Sequence, residues 1–244
     1  MSVIGVYDSG IGGLTTLSAL KSVVCGHDFL YLADTMNMPF GTKSREEIYA
    51  SVTRGLKILR DNSDVQVIAC NTASTVVSPK NAHLLQPQID GLNPSSTLFL
   101  STPATMKALE IKKKNFVTAD TKNLATMVEI MGSLSYKSRD KLRIEYLDET
   151  VKNLLKSATK NLDEIDTIVI GCSHYVYVKP LLKTYLPKAK ILDRNCTLKY
   201  EVLKGLTLGD SSGKTTFRFT LGNENEKYAW VLEQLDQNRC IFDV

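Results

Sequence analysis

Two stretches decide how this chain folds: DVQVIACNTAS (residues 64–74) and DTIVIGCSHYV (166–176). Each runs as an acidic residue, a four-residue apolar core rich in β-branched side chains, a small residue, a cysteine and then small polar residues. A short continuous apolar run ended by small polar residues is the signature of a strand buried on both faces, as in a parallel sheet. The same strand end is therefore used twice, once in each half of the chain. Upstream of each copy lies a strand that breaks into a polar loop and then a helix: VIGVYDSGIGGLTTL from Val3 and TLFLSTPATMKAL from Thr97.

Working outward, residues 3–7, 28–33, 65–69, 97–101 and 167–171 are predicted strands. Residues 14–23, 45–62, 105–112, 121–131 and 149–161 are predicted helices. Strand and helix alternating in this rhythm predict an α/β fold made of two similar parallel-sheet halves. The size agrees, because 244 residues exceed one typical domain of about 150. Apolar residues at 43%, charged residues at 23%, and 14 Gly with 7 Pro describe an ordinary folded chain, far from disordered or collagenous composition.

The 30 Lys and Arg against 26 Asp and Glu leave a net charge of +4, and the basic residues are scattered apart from Lys112, Lys113 and Lys114. That balance gives no reason to expect a nucleic-acid partner. No apolar run approaches the roughly 20 residues needed to span a bilayer, and MSVIGVYDSG has no basic segment leading an apolar one. A cytoplasmic chain without membrane contact is expected. Five cysteines, Cys25, Cys70, Cys172, Cys196 and Cys240, are odd in number and contain no CxxC pair, so free thiols are expected.

In open parallel sheets ligands sit beyond the carboxyl ends of strands, which is where Cys70 and Cys172 fall. A free cysteine on its own usually packs as a small hydrophobe, but two in matched contexts can bracket one small ligand. Two groups on opposite sides of a tetrahedral carbon suit inversion of configuration, one removing a proton while the other delivers one. A thiol with an ordinary pKa near 8.5 needs a base or a positive field to become a proton acceptor, and His174, two residues after Cys172, is placed to supply it. Asp8 ends the first strand; it reads either as a helix N-cap before the turn glycines Gly10, Gly12 and Gly13 or as a catalytic acid. The DSGIGG loop lacks the GK[ST] ending and full GxGxxG spacing of a nucleotide loop. A metal site from Cys70, Cys172 and His174 has only one local Cys-x-His pair behind it, so no metal is expected.

These residues resemble the glutamate racemase family of cofactor-independent amino-acid racemases. The matching segments are GVYDSGIGGLTTL (5–17), YLADTMNMPFGTKS (31–44), VIACNTAS (67–74), GLNPS (91–95), LSTPATMKA (100–108) and IVIGCSHY (168–175), with GNENEKYAWVLEQL (222–235) similar to the family's last helix. The resemblance implies that Cys70 and Cys172 exchange the α-proton of glutamate from opposite faces, with Asp8 supporting Cys70 and His174 supporting Cys172. It implies that Ser9, Phe40, Gly41, Asn71, Thr72, Ser173, Asp8 and His174 line the substrate site. Glu129, in TKNLATMVE, matches a third family acid, although the segment lacks the usual Cys-Pro opening. Phe40 replaces the usual Tyr, Ser173 the usual Thr, and Asn93 the usual Glu.

The resemblance further implies two domains, residues 1–94 with 206–244 and residues 95–205, in a pseudo-twofold relation with the site in the cleft between them. No cofactor is implied, the partner is the small-molecule substrate, and a homodimer is the expected assembly. D-glutamate for peptidoglycan is the expected product. Two alternatives remain open at the level of sequence: a racemase for aspartate or another acidic amino acid, and a catalytically weak relative acting as a binding protein.

Overall fold

The first strand, β1 (Val3–Asp8), has five of its six residues buried, and its neighbours pair with it on both edges. It is the centre of a parallel sheet. The computed structural model describes residues 1–121, 123–138, 145–209 and 213–238. From β1 the chain continues through α1 (Leu14–Lys21), β2 (Asp28–Ala33), α2 (Arg45–Asn62), β3 (Val65–Ile68), α3 (Asn71–Val76) and β4 (Ala82–Leu84). It then forms β5 (Thr97–Ser101), α4 (Pro103–Ala108), β6 (Val117–Thr118), α5 (Leu124–Ser138), α6 (Glu145–Ala158), β7 (Thr167–Gly171), α7 (Lys179–Tyr185), β8 (Lys190–Asp193) and α8 (Asn195–Leu203). The last described elements are β9 (Thr215–Phe219) and α9 (Asn225–Asp236).

The strands form two sheets, ordered β4-β3-β1-β2-β9 and β6-β5-β7-β8, and every pairing is parallel. The chain is thus an α/β protein of two parallel-sheet halves, as its sequence predicts. The return of β9 to β2, with Phe29 opposite Thr215, closes the first sheet with residues from the far end of the chain. In each sheet the order reverses beside the first strand: β2 and β3 flank β1, and β6 and β7 flank β5. These reversals are topological switch points, where loops diverge and leave a crevice beyond the strand ends. Cys70 follows β3 and Cys172 follows β7, so each thiol stands at the switch point of its own sheet.

Local sequence explains the helices that matter most. Ser44 caps α2 in a full capping box with Glu47, and Thr102 accepts from the Thr105 N–H at the start of α4, with Pro103 just inside; both arrangements satisfy amide groups that a helix start leaves unpaired. The predicted helix over 105–112 begins earlier and stops at Ala108. Glu110 has a left-handed backbone with φ 52°, and residues Ile111–Lys114 form a separate 3-10 turn. The helix predicted over 121–131 starts at Leu124 and extends to Ser138, and that predicted over 149–161 runs over Glu145–Ala158 instead.

One apolar cluster runs through both halves, joining Ile4, Leu14 and Tyr31 to Leu100, Ile168, Tyr175 and Tyr228. A second fills the other face of the first sheet around Tyr7, Phe40 and Leu59. Cys25, Cys70, Cys172 and Cys196 are free; Cys240 lies outside the described residues. Among the described residues no helix is long and apolar enough to cross a membrane.

Gly55 lets α2 lie directly on the Tyr7 ring, into which a Cβ at this position would run. Gly55→Ala should lower stability by about 1–3 kcal/mol through overpacking, despite the better helix propensity of alanine. Urea unfolding measures it, and an unchanged or raised midpoint would contradict this packing.

Candidate active site

The loop DSGIGG leaves β1 and crosses the gap between the sheets. Its glycines are not in the left-handed region, where only Gly26, Gly91 and Gly222 are found among the glycines. They are needed for closeness. A Cβ on Gly12 would lie 2.5 Å from Ser173 Oγ and 2.6 Å from His174 Nδ1, and one on Gly13 would lie 2.6 Å from the Tyr31 hydroxyl. A Cβ on Gly10 would strike Glu129 Oε2. The loop therefore seats the first half directly against the segment that follows Cys172. Asp8 does not cap α1, since Gly13 occupies that position without a side-chain cap; its carboxylate accepts from the Gly10 N–H at 2.8 Å and from Ser173 Oγ at 3.0 Å.

Both thiols are 5% exposed. Cys70 occupies the N-cap position of α3. Burial pushes its thiol pKa well up, the charges of Asp8 and Cys172 add to this, and the N–H groups of Ala73 and Thr72 pull the other way. Cys172 is thus among the groups whose charge raises Cys70, although the two follow strands of different sheets. His174 follows Cys172 in a short 3-10 segment, Ser173–Val178. Burial disfavours charge on its ring, yet hydrogen bonds to Cys172 and Glu129 and the charges of both groups raise its pKa well above the ordinary value.

Glu129 is the third acid of this centre. Its Oε2 accepts from Ile11 N at 2.9 Å and lies 3.0 Å from His174 Nε2, while Oε1 lies 3.4 Å from Lys227 Nζ. Burial opposes its charge, but the His174 contact, Lys227 and the Ile11 N–H together hold the carboxyl below its ordinary range. Asp8 moves the other way: burial raises it, and the opposing pull of His174, Gly10 and Ser173 does not compensate.

The remaining predicted substrate-site residues, Ser9, Phe40, Gly41, Asn71, Thr72 and Ser173, are all buried. Thr72 Oγ1 lies 2.9 Å from Thr102 Oγ1 and 3.1 Å from Thr105 Oγ1. Asn71 donates to the Leu85 carbonyl at 2.6 Å, while its Oδ1 is buried with no hydrogen-bond partner. Gly41 faces Thr102 so closely that a Cβ would lie 2.8 Å from its Cβ and Cγ2. Phe40 packs its ring 6.4 Å from that of Tyr7 within the second cluster. Asn93 is exposed and accepts from Ser95 N and Oγ in its own turn.

Sequence reasoning missed Lys227, Thr102, Thr105 and the tyrosines that tie the loops down. Tyr31 donates to the Gly10 carbonyl at 2.7 Å and Tyr177 to the Ile11 carbonyl at 2.9 Å. Thr102 and Thr105 were available within LSTPATMKA, where Thr-Pro before a helical stretch marks a cap. Lys227 gave no signal, because a lysine in a helix ordinarily reads as solvated.

With this geometry in view, the chain can be set beside known proteins. No family model matches it. A glutamate racemase of Campylobacter concisus is 30% identical over 98% of this chain and 99% of the relative. The chain belongs to the glutamate racemase family. A Halothermothrix orenii glutamate racemase is 28% identical over 95% of the chain and 99% of the relative. Among solved structures, the Francisella tularensis glutamate racemase in complex with D-glutamate has a TM-score of 0.73 at 26% identity, covering 96% of this chain and 93% of that one. The Campylobacter jejuni enzyme has a TM-score of 0.75 at 23% identity, covering 96% and 99%, which bears on the fold.

The Glu129–His174 contact makes a pH prediction for this racemase-family site. His174, raised above its ordinary 6.5, adds stability that is complete below pH 6.5 and is lost as pH rises through its folded value. Glu129, lowered from 4.5, adds stability present above 4.5 and lost as pH falls through its folded value. Unfolding free energies by urea should therefore fall more steeply above pH 6.5 in the wild type than in His174→Asn. Parallel pH curves would contradict the coupling.

Proposed function

We propose that this protein is a glutamate racemase that interconverts L- and D-glutamate by proton exchange between two thiols, without a cofactor. The observation carrying this reading is the pair of buried thiols, each at the switch point of its own sheet, with the charge of Cys172 among the causes that raise Cys70. One thiolate removes the α-proton from one face; the other thiol donates its proton to the opposite face; the amino acid leaves with inverted configuration and unchanged composition. The carbanion between these steps spreads its charge into the α-carboxylate, so hydrogen-bond donors around that carboxylate stabilise the transition state.

The two sides start unequal. The imidazole of His174, hydrogen-bonded to Cys172, holds its proton more tightly than an ordinary histidine, while burial and the nearby Asp8 keep Cys70 protonated. With a histidine as its hydrogen-bond partner Cys172 is assigned the base and Cys70 the acid for one direction, and the roles exchange for the other. Asp8 acts on Cys70 through charge and holds Ser173 by a hydrogen bond, while Glu129 acts through His174. Ser9, Thr72 and the backbone at Phe40, Gly41 and Ser173 donate to the carboxylates. Asn71 offers its unpartnered Oδ1 to the substrate ammonium, which would recover the roughly 1–3 kcal/mol that an unpaired buried acceptor costs.

The near-complete burial of these groups means that substrate reaches them only when the halves part, and closure then excludes water from the carbanion. The domain division in this reading is 1–94 with 206–244 against 95–205, the return of β9 to the first sheet supporting it. A cytoplasmic enzyme supplying D-glutamate for peptidoglycan, acting as a homodimer, fits the family.

Cys70→Ser and Cys172→Ser should each lower conversion of L- to D-glutamate by about 10²–10⁴-fold, the usual contribution of a general acid or base, with unfolding midpoints near that of the wild type. Chiral separation of the product measures it. Wild-type turnover in either variant would remove the two-thiol reading.

A further inference from the structure

Lys227 is a buried charged side chain near the candidate site that the chemistry above leaves without a role. It is 8% exposed and sits in the first turn of α9, on the face that also buries Tyr228, Val231 and Leu232. A lysine is almost never buried this far unless paired. Its ammonium lies 3.4 Å from Glu129 Oε1 and 3.3 Å from Ser133 Oγ, is ion-paired to the part-exposed Glu224, and lies 5.2 Å from the Tyr228 ring centre. With the His174–Cys172 hydrogen bond these contacts form a line, Glu224, Lys227, Glu129, His174, Cys172, in which acidic and basic side chains alternate up to the histidine. The line starts at the surface and ends at a thiol.

We propose that Lys227 is a positioning residue for the Cys172 side of the site: its ammonium, delivered by the last helix, clamps one oxygen of Glu129 so that the other is aimed at His174, and it draws off part of the charge that His174 feels. The inference rests on the racemase reading for its catalytic meaning, and on geometry alone for the clamp. Glu129 has two oxygens and three donors. Ile11 N and His174 share Oε2 and Lys227 holds Oε1, so both oxygens are fixed, and the Ile11 N–H still keeps Oε2 on His174 when Lys227 is replaced. Helix packing keeps Lys227 in register, since α9 lies along α5 with the Tyr136 ring 6.1 Å from that of Trp230 and the Tyr136 hydroxyl 2.7 Å from Glu226.

The electrostatic consequence has a definite sign. A cation beside Glu129 lessens the attraction between Glu129 and a charged imidazole, so removing it should make His174 hold its proton more tightly. The other groups facing His174 are Cys172 on its own segment, Glu129 on α5 and Asp8 at the end of β1. Tyr31, Tyr177 and Tyr228 surround the same carboxylates as neutral hydroxyls whose pKa values, where shifted, are raised by burial. On α7, which packs against the His174 segment, Lys179 is paired with Asp193 at 3.2 Å. None of these changes when Lys227 is replaced, so the shift reads Lys227 itself.

The test is a titration of the histidine rings by NMR, feasible because the chain has three histidines and His174→Asn identifies the signal. In Lys227→Met the His174 midpoint should rise by about half a pH unit or more, and in Lys227→Arg it should stay near the wild-type value. Glu224→Gln, a change at a part-exposed residue that spares the fold, should move it the opposite way, because Lys227 then serves Glu129 alone. If Lys227→Met fails to fold, Glu224→Gln with Lys227→Arg still decides. An unmoved midpoint in Lys227→Met or Glu224→Gln, a moved one in Lys227→Arg, or movement with the wrong sign overturns the inference. The titration needs no turnover: a wild-type chain that leaves L-glutamate unconverted removes the racemase reading, while the midpoints judge the clamp independently.

Discussion

A carboxylate can be buried as an ion only if donors surround it, and Glu129 obtains its donors from three distant parts of the chain. Ile11 belongs to the loop after β1, His174 to the segment after β7, and Lys227 to the last helix. Satisfying one side chain therefore fixes how the two sheets meet. The glycines of DSGIGG complete the constraint, because Gly10 and Gly12 let backbone pass where any side chain would collide with Glu129, Ser173 and His174. Remove the closeness and the charges lose their partners; remove the charges and the closeness has little to hold it.

From this junction the placement of the thiols follows. Each cysteine continues a strand beside a switch point, where loops diverge and the backbone leaves room, and the junction turns the two switch points toward one another. The thiols then differ only through their surroundings. Cys70 has a carboxylate near it and the amides of α3 beneath it, whereas Cys172 has an imidazole whose pKa Cys172 itself and Glu129 raise against burial. Two groups of one chemical type thus stand in two different environments, which is what the proposed proton exchange between opposite faces needs.

Much of this was legible in the sequence, and the reasons it was legible are physical. A continuous apolar run such as Val-Gln-Val-Ile or Thr-Ile-Val-Ile has few alternatives to a buried strand, and the repeated cysteine after it marks both strand ends. The strands that escaped notice, β4, β6, β8 and β9, lie at sheet edges and are short or alternately exposed, β9 reading intermediate and exposed in turn. They carry no continuous apolar run, and β9 pairs with a strand far away in sequence. The helix predicted to reach residue 112 was misjudged because periodicity does not register a single left-handed residue such as Glu110. Lys227 was invisible because only the fold reveals that its helix face is buried. Phe40 replaces a family tyrosine harmlessly for packing, its ring lying in the cluster with Tyr7, while Asn93 serves its own turn.

The central claim is that one thiol takes the α-proton of glutamate and the other returns a proton to the opposite face. Incubating the protein with L-glutamate in D₂O and following the α-proton signal alongside optical rotation tests it most directly. The account predicts that the signal and the rotation are lost together, as solvent deuterium enters with inversion. Loss of the signal with rotation retained would show exchange on one face only and contradict the paired thiols.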